Sequence, residues 1–403
     1  MSHAPVPAQN PRPAQNPKPA QHPRPAQNPT PSPPLWATPP PQARSGGVAF
    51  AIVGILLGVV AGLLVLAYLA VALGVSALAI ASLLALIPLA IVLLTVRWVD
   101  RWEPEPRWAL WFAFLWGAAV SVAVALIVDL GVQLLLAFAG PGGSPNEAMA
   151  AVVQAPIVEE TAKGVGVLLL YAFSRSHFDG PVDGLVYAAT VAAGFAFTEN
   201  ILYFGAALAE GGVGELGAVF VVRGLFSPFA HVLFTVCTGL LIGIGARRGG
   251  GAGVVGWFLL GLGAAVLLHA LWNGSLTFAD DAIGLYFTVQ VPIFIGAVLL
   301  TFFLRRQEMR VTRARLGEYA AVGWFSAAEV EMLATPAGRR RARAWARSLT
   351  PPRTALIRRL IADATHLAFN RHVLVSGRGD VRHVTDERLL LDAVALDRAA
   401  LLR

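Results

Sequence analysis

Ala155-Pro156-Ile157-Val158-Glu159-Glu160-Thr161-Ala162-Lys163 lies between the apolar Ala148–Val153 and an apolar run that continues to Phe173. Lys163 follows Glu159 by four residues and Glu160 by three, so on a helix all three share one turn. The chain uses arginine for almost every other cation, and Lys18 is its only other lysine. An ionisable group inside a membrane span costs roughly 2.5–3.5 kcal/mol on insertion scales and by default marks a site. Three on one turn, two of them carboxylates, point to chemistry.

The chain around this stretch has the composition of a membrane protein. It is 56% hydrophobic and 14% charged, with a mean hydropathy of +0.64. Soluble proteins do not combine these values, so the class is a polytopic membrane protein. The net charge of +7 comes from arginines outside the apolar runs. It carries topology information and is not a nucleic-acid footprint, so no nucleic-acid partner is expected. The single cysteine, Cys237, excludes an internal disulfide framework and a Cys-rich metal site. No charged-then-apolar leader precedes the first span, so no cleavable signal peptide is expected.

Residues 1–46 repeat Pro-Ala-Gln-Asn/His-Pro-x with period six, as at Pro7–Gln9, Pro13–Gln15, Pro19–Gln21 and Pro25–Gln27. Proline at this density removes backbone donors, so a disordered, extended cytoplasmic tail is expected. Apolar stretches follow at Gly47–Leu73, Ser76–Val96, Trp108–Phe138, Ala148–Phe173, Gly184–Ala209, Val219–Ala246, Gly253–Phe278 and Gly284–Leu304. Each reaches the roughly 20 helical residues that cross a bilayer, which predicts about eight spans. With that alternation the even-numbered connections and the end of the last span carry Arg97, Arg101, Arg107, Arg175, Arg247, Arg248, Arg305 and Arg306. The odd-numbered ones carry Arg223 beside Glu147, Glu210, Glu215, Asp280 and Asp281. The positive-inside rule then places both termini of this multi-pass cell-membrane protein in the cytoplasm.

After Leu304 the chain becomes rich in Arg, Ala and Leu. Ser326-Ala-Ala-Glu329 reads as a capping box. Helical spacing covers Gly338–Ser348 and Thr354–Phe369, with Pro351-Pro352 between them, and Val373–Val384 reads as a short hairpin around Gly377-Arg378-Gly379-Asp380. Arg339-Arg340-Arg341 reads as a solvated face or an anionic-lipid contact. The expected fold is therefore all-α: a polytopic membrane helix bundle over 47–304 (core 97–304), a disordered Pro-rich tail over 1–46, and a small, mostly helical cytoplasmic domain over 305–403.

Four consecutive spans carry buried polar groups: Glu159, Glu160 and Lys163; then Glu199 and Asn200; then His231 and Thr235; then His269 and Asn273. At about 1.5 Å of rise per residue, Glu159 falls roughly 15 Å below the external face, Glu199 about 8 Å, His231 about 15–18 Å and His269 about 6–10 Å. Antiparallel helices with different offsets thus deliver polar groups to one slab of the outer leaflet. Glu159/Lys163, His231/Thr235 and His269/Asn273 are i,i+4 pairs, and Arg223 lies two turns before His231 on much the same face. Gly164, Gly166, Gly194, Gly239, Gly261 and Gly263 would let these helices approach closely. Asp129 and Gln133 read as packing polars, and His177, His366, His372 and His383 as surface or domain residues.

Adjacent carboxylates shift each other's pKa values apart and so take two roles. One acts as general base on water while the other holds a metal or stays protonated. Two histidines from different helices plus a carboxylate make a three-ligand zinc site with an open position. Asn273 would donate to a developing oxyanion. The set suits metal-assisted hydrolysis, although the His-Glu-x-x-His signature of soluble zinc proteases is missing.

These residues resemble the PrsW family of intramembrane proteases, within the group of CAAX-protease-like membrane enzymes. Asp100-Arg-Trp-Glu103-Pro-Glu-Pro106 resembles the loop before the first core span, and Glu159-Glu160-Thr-Ala-Lys163 the Glu-Glu-x-x-Lys motif. Asp183-Gly184 with Phe195-Ala-Phe-Thr-Glu199-Asn200, Pro228-Phe-Ala-His231, and His269-Ala-Leu-Trp272-Asn273 follow in family order. The resemblance covers about 97–304. It implies hydrolysis of peptide bonds in single-span regulatory proteins, such as anti-sigma factors. It also implies Glu159 and Glu160 as catalytic groups and His231 and His269 as ligands of a divalent metal. Glu199 stands where the related CAAX enzymes carry a histidine, as a third ligand or in another role. The mechanism expected has water activated by Glu159 or Glu160, Lys163 keeping a carboxylate ionised, and Asn273 with Asn200 steadying the oxyanion. The alternatives are a CAAX-type prenyl endopeptidase and a proton-coupled transporter, since intramembrane Glu, Lys and His also build proton relays.

Overall fold

The structure, a computed structural model, describes residues 45–138, 146–175, 178, 180–248, 253–379 and 381–402. The readings made for residues 1–44 of the tail, for His177 and for Asp380 lie outside the described residues. All described secondary structure is helical, and no strand occurs among those residues.

Helices α1 (Ser45–Leu73) and α2 (Val75–Val99) reverse direction at Gly74, whose φ of 78° is the left-handed conformation that glycine adopts without a side-chain clash. Helix α3 (Arg107–Phe138) contains a π-helical stretch at Trp116–Ser121. Helix α4 (Ala155–Phe173) is led by Glu147–Met149 and a second π-helical stretch, Ala150–Gln154. Helix α5 (Pro181–Phe220) bends at Gly212 and runs into a third, Val221–Phe226. Helices α6 (Ala230–Arg247), α7 (Gly253–Phe278) and α8 (Ala282–Ala321) complete the apolar set.

Among the described residues, six helical runs are long and apolar enough to cross a membrane: Ile52–Leu73, Val75–Val99, Arg107–Phe138, Pro181–Arg247, Gly253–Phe278 and Ala282–Ala321. Two features separate this set from the expected eight. Pro181–Arg247 is 67 residues long and is interrupted at Gly212 and Ser227–Phe229, so it spans two of the expected segments. Helix α4 is absent from the set because Glu159, Glu160 and Lys163 load it with charge.

Helix α5 is the axis of the bundle. Residues 181–196 are buried without interruption, as expected of a helix apolar on every side. It packs against α2, α3 and α6. The contacts are backbone to backbone: a Cβ on Gly184 would lie 2.0 Å from the Gly239 carbonyl oxygen, and one on Gly194 would lie 2.2 Å from that of Phe114. Small residues at the crossing let dispersion act between main chains, the usual way helices associate in lipid. Gly263, by contrast, faces open space.

Helix α8 continues unbroken through residue 304, so the expected divide at 304/305 falls inside one helix and marks a change of composition. Beyond it α9 (Ala327–Ala334), α10 (Pro336–Ser348), α11 (Thr354–Val375) and α12 (Val381–Leu402) enclose a second core that includes Leu316, Leu333, Ile357, Leu367 and Val394. The Ser326–Glu329 capping box forms, with Ser326 Oγ accepting from Glu329 N at 3.2 Å. The expected hairpin over 373–384 is corrected. Helix α11 extends to Val375, Gly377 turns the chain at φ 72°, and α12 begins at Val381. A left-handed glycine just past a helix end is a C-cap, so the same turn residues join two helices here.

The basic cluster divides. Arg340 and Arg341 are exposed, but Arg339 is buried. Its guanidinium lies 3.5 Å from the centroid of the Trp102 ring and donates to the carbonyls of Leu333 (2.7 Å) and Trp102 (2.9 Å) and to Thr365 Oγ1 (2.6 Å). Burial, with Arg343 beside it, lowers its pKa to about 9. This side chain fastens the C-terminal helices to the loop between α2 and α3. Within that loop Glu105 N donates to Asp100 Oδ1 at 2.9 Å, and Glu105 accepts from the Tyr187 hydroxyl of α5. Burial pushes the Asp100 carboxyl up to about 7 and holds that of Glu105 well above the usual range, Asp183 adding to the latter.

Candidate active site

Helix α4 places Glu160 and Lys163 in complete burial, with Glu159 at 9% exposure. Lys163 Nζ lies 2.6 Å from Glu160 Oε1 and 3.5 Å from Glu159 Oε2. The same ammonium lies 3.3 Å from His231 Nδ1 of α6 and 4.1 Å from the centroid of the Phe195 ring of α5. Ionised groups survive such burial only when paired and hydrogen-bonded. Here one cation is shared by two carboxylates and an imidazole.

Glu160 holds the floor of the pocket. Its Oε2 accepts from Thr235 Oγ1 at 2.8 Å, and its Oε1 is 3.1 Å from His269 Nδ1 of α7. The His269 ring stacks on Phe234, with centroids 4.8 Å apart, and its Nε2 lies 4.0 Å from Glu159 Oε2. Glu160 thus fixes the imidazole so that the second nitrogen turns toward Glu159. A carboxylate behind a histidine is the arrangement that orients metal-ligating imidazoles.

The sequence-predicted groups on four helices therefore meet: Glu159, Glu160 and Lys163 with Glu199, His231, Thr235 and His269. Within this group three donors lie closest together. Donor atoms of Glu159, His231 and His269 lie within 4.8 Å of one another. Glu199 sits on the far side of His231, with Oε2 2.7 Å from His231 Nε2 and an ion pair to Arg223. Glu199, paired with that guanidinium, lies outside this trio, which contains Glu159.

Two amides have partners of their own. Asn273 Nδ2 donates to the Ala151 carbonyl at 2.8 Å, on the π-helical stretch before α4. Asn200 Oδ1 accepts from Arg223 Nε at 3.0 Å. Both brace the helices around the pocket. The sequence puts Arg223 among the outer charges and on much the same face as His231. The π-helical stretch Val221–Phe226 turns it inward, 4.0 Å from the centroid of the Tyr203 ring. The available signal was its place two turns before His231.

Glu159 and Glu199 line a groove of about 1090 Å³ between α3, α4 and α5. Asp129 and Gln154 line it farther out, so Asp129 faces this opening, where the sequence reading had a packing contact. Gln133 Nε2 donates to Asp129 Oδ2 at 2.8 Å. The pocket is thus closed toward α6 and α7 and open toward α3.

Residues 105–297 match the model of a protein family described as PrsW family intramembrane metalloprotease. The chain is 34% identical to Protease PrsW of Geobacillus kaustophilus over 144 residues, which is 36% of this chain and 57% of that protein. It is 33% identical to Protease PrsW of Clostridioides difficile over 160 residues (40% and 63%), and 28% identical to that of Bacillus subtilis over 196 residues (49% and 81%). It thus spans less than two thirds of the length of the first two relatives. No solved structure matches it. The matched segment contains every residue of the pocket, and over that segment the chain is similar to the PrsW family of intramembrane metalloproteases.

Proposed function

We propose that this protein is an intramembrane endopeptidase that hydrolyses peptide bonds of single-span regulatory proteins, anti-sigma factors being the class the family resemblance favours. The observation that carries the reading is the buried assembly of Glu159, Glu160, Lys163, His231 and His269 beside a groove. Such a set is costly in lipid and unnecessary for packing.

A divalent ion fits the donors. Glu159 Oε2 is buried and has no hydrogen-bond partner, and it stands with His231 and His269 in a one-carboxylate, two-imidazole set. Both nitrogens of His231 already face partners, Lys163 and Glu199, so ligation by His231 requires one of these contacts to yield. Zinc suits such nitrogen and oxygen donors, and when bound it would supply Lewis acidity toward the scissile carbonyl.

The protein's own groups divide the remaining work. Glu159 is the carboxylate of the pair that opens on the groove. It takes a proton from water as the water oxygen adds to the carbonyl carbon, and returns it to the amine nitrogen as the C–N bond breaks. Lys163 pairs with both Glu159 and Glu160, Glu160 orients His269, and Glu199 orients His231. A carboxylate has two oxygens, so donation to a cation through one leaves the other for the proton. A substrate helix must unwind locally to present its carbonyl, which favours helix-breaking residues near the cut.

Eight passes with both termini cytoplasmic place the pocket in the outer half of the bilayer. This assignment rests on the arginine distribution. The bundle over 47–304 then carries catalysis, while the segment over 305–403 and the tail over 1–46 face the cytoplasm. The test is cleavage of a panel of single-span substrates by purified wild type, Glu160→Gln and His231→Ala. Loss of cleavage in both variants is expected, and unaltered cleavage rejects the site. Zinc content of the same preparations is expected to fall in His231→Ala and His269→Ala, and equal content removes both histidines from the ligand set.

A further inference from the structure

A second group of charges lies at the opposite end of the bundle. Arg101, Arg305, Arg306, Arg339, Arg340 and Arg343 line a cavity of about 920 Å³ where the end of α2, the middle of α8 and the start of α10 meet. Among the described residues, no carboxylate lines it. Among the described residues, none of Arg101, Arg305, Arg306, Arg340 and Arg343 has an acidic group within salt-bridge distance. The carboxylates that influence the cluster are Glu103, which acts on Arg339, and Glu308, which acts on both Arg305 and Arg339; each has interactions of its own. Arg305 Nε is buried without a hydrogen-bond partner among the described residues, its guanidinium 3.9 Å from the centroid of the Trp98 ring. The pKa of Arg343 is lowered by burial, then by Arg101 and Arg358. Like charges held this close, with a buried donor unsatisfied, lack an anion.

The cavity adjoins an apolar groove. Trp98 and Phe302, in edge contact with centroids 5.2 Å apart, line both. The groove encloses about 830 Å³ and is walled by Val92 and Val96 of α2, Val236 and Leu240 of α6, and Phe294 and Val298 of α8. It exists because α8 barely packs on the bundle, with only 6% of its apolar window buried. Cationic surface against apolar surface, divided by tryptophan, matches a phospholipid at a membrane boundary.

We propose that this composite cavity binds an anionic phospholipid, the phosphate seated among the arginines and the acyl chains running along the groove between α2, α6 and α8. The lipid would tie α8 and the C-terminal helices to the bundle at a face where protein contacts are sparse. A free phosphate satisfies the arginines alone and leaves the groove unused.

The test uses the full-length protein in neutral detergent, with retention read by native mass spectrometry after titration with phosphatidylglycerol, phosphatidylcholine or inorganic phosphate. Wild type is expected to retain phosphatidylglycerol and to lose phosphatidylcholine. The triple variant Arg306→Gln, Arg340→Gln, Arg343→Gln is expected to bind phosphatidylglycerol on the order of a hundredfold more weakly. Val298→Trp, which fills the groove and leaves the arginines in place, is expected to weaken phosphatidylglycerol binding and leave phosphate binding unchanged. Equal retention of the two lipids, or unaltered retention by the triple variant, overturns the proposal. Phosphate binding as tightly as phosphatidylglycerol, with Val298→Trp indifferent, also overturns it and assigns a free anion. If the triple variant fails to fold, Val298→Trp and salt decide: wild-type binding should weaken as sodium chloride is raised, and salt-independent retention overturns the claim.

Discussion

The two charged clusters solve opposite problems. In the pocket of α4 to α7, every cation has an acid: Lys163 faces Glu159 and Glu160, and Arg223 faces Glu199. In the cavity of α2, α8 and α10, arginines face one another. The difference follows from the medium. Within the hydrocarbon an unpaired charge is expensive, so the chain supplies both signs itself. At the boundary, water and headgroups solvate a cation, so the chain can leave one sign unmatched. Charge balance within a cluster is thus a guide to depth, and imbalance a guide to something the protein has yet to bind.

The sharpest way to break this contrast is Lys163→Met. It strands two carboxylates in the core, and a loss of about 3–5 kcal/mol in detergent unfolding experiments is expected, with cleavage abolished. Unchanged stability would mean that the carboxylates are solvated and the pocket is wet throughout. Arg223→Gln leaves Glu199 with His231 alone. Its guanidinium is partly exposed, so a smaller loss of about 2–3 kcal/mol is expected in the same unfolding experiments.

Asp100 tests the boundary from the acidic side. Its carboxyl, raised by burial from 3.8 to about 7, binds its proton more tightly folded than unfolded. Stability should therefore fall as pH rises from about 4 to 7 and then level off. Asp100→Asn should flatten that segment of the profile by on the order of 2 kcal/mol, measured by unfolding across the window. Arg306→Gln removes an exposed, unmatched cation. A change within about 0.5 kcal/mol is expected, and a large loss would show that the arginine cavity is matched internally after all.

Much of the pocket was legible in the chain because membrane helices convert spacing into depth. Glu159, Glu160, Lys163, His231 and His269 stand on three apolar runs at offsets that meet in one slab, and the structure brings them together. What stayed illegible depended on local departures from the regular helix. The π-helical stretch Val221–Phe226 turns Arg223 onto Glu199, and Ala150–Gln154 offers Ala151 to Asn273. A period of 3.6 assumed throughout misses both.

The amino-acid order alone determined the helical class, the apolar runs and the identity of the polar groups, because burial of apolar side chains and hydrogen bonding within each helix are local properties. Only the tertiary structure decided which carboxylate joins the two histidines, that Arg339 is buried on Trp102, and that the turn at Gly377 joins helices. Those outcomes depend on which backbones approach closest, and that is set by contacts such as Gly184 on Gly239 between segments far apart in the chain.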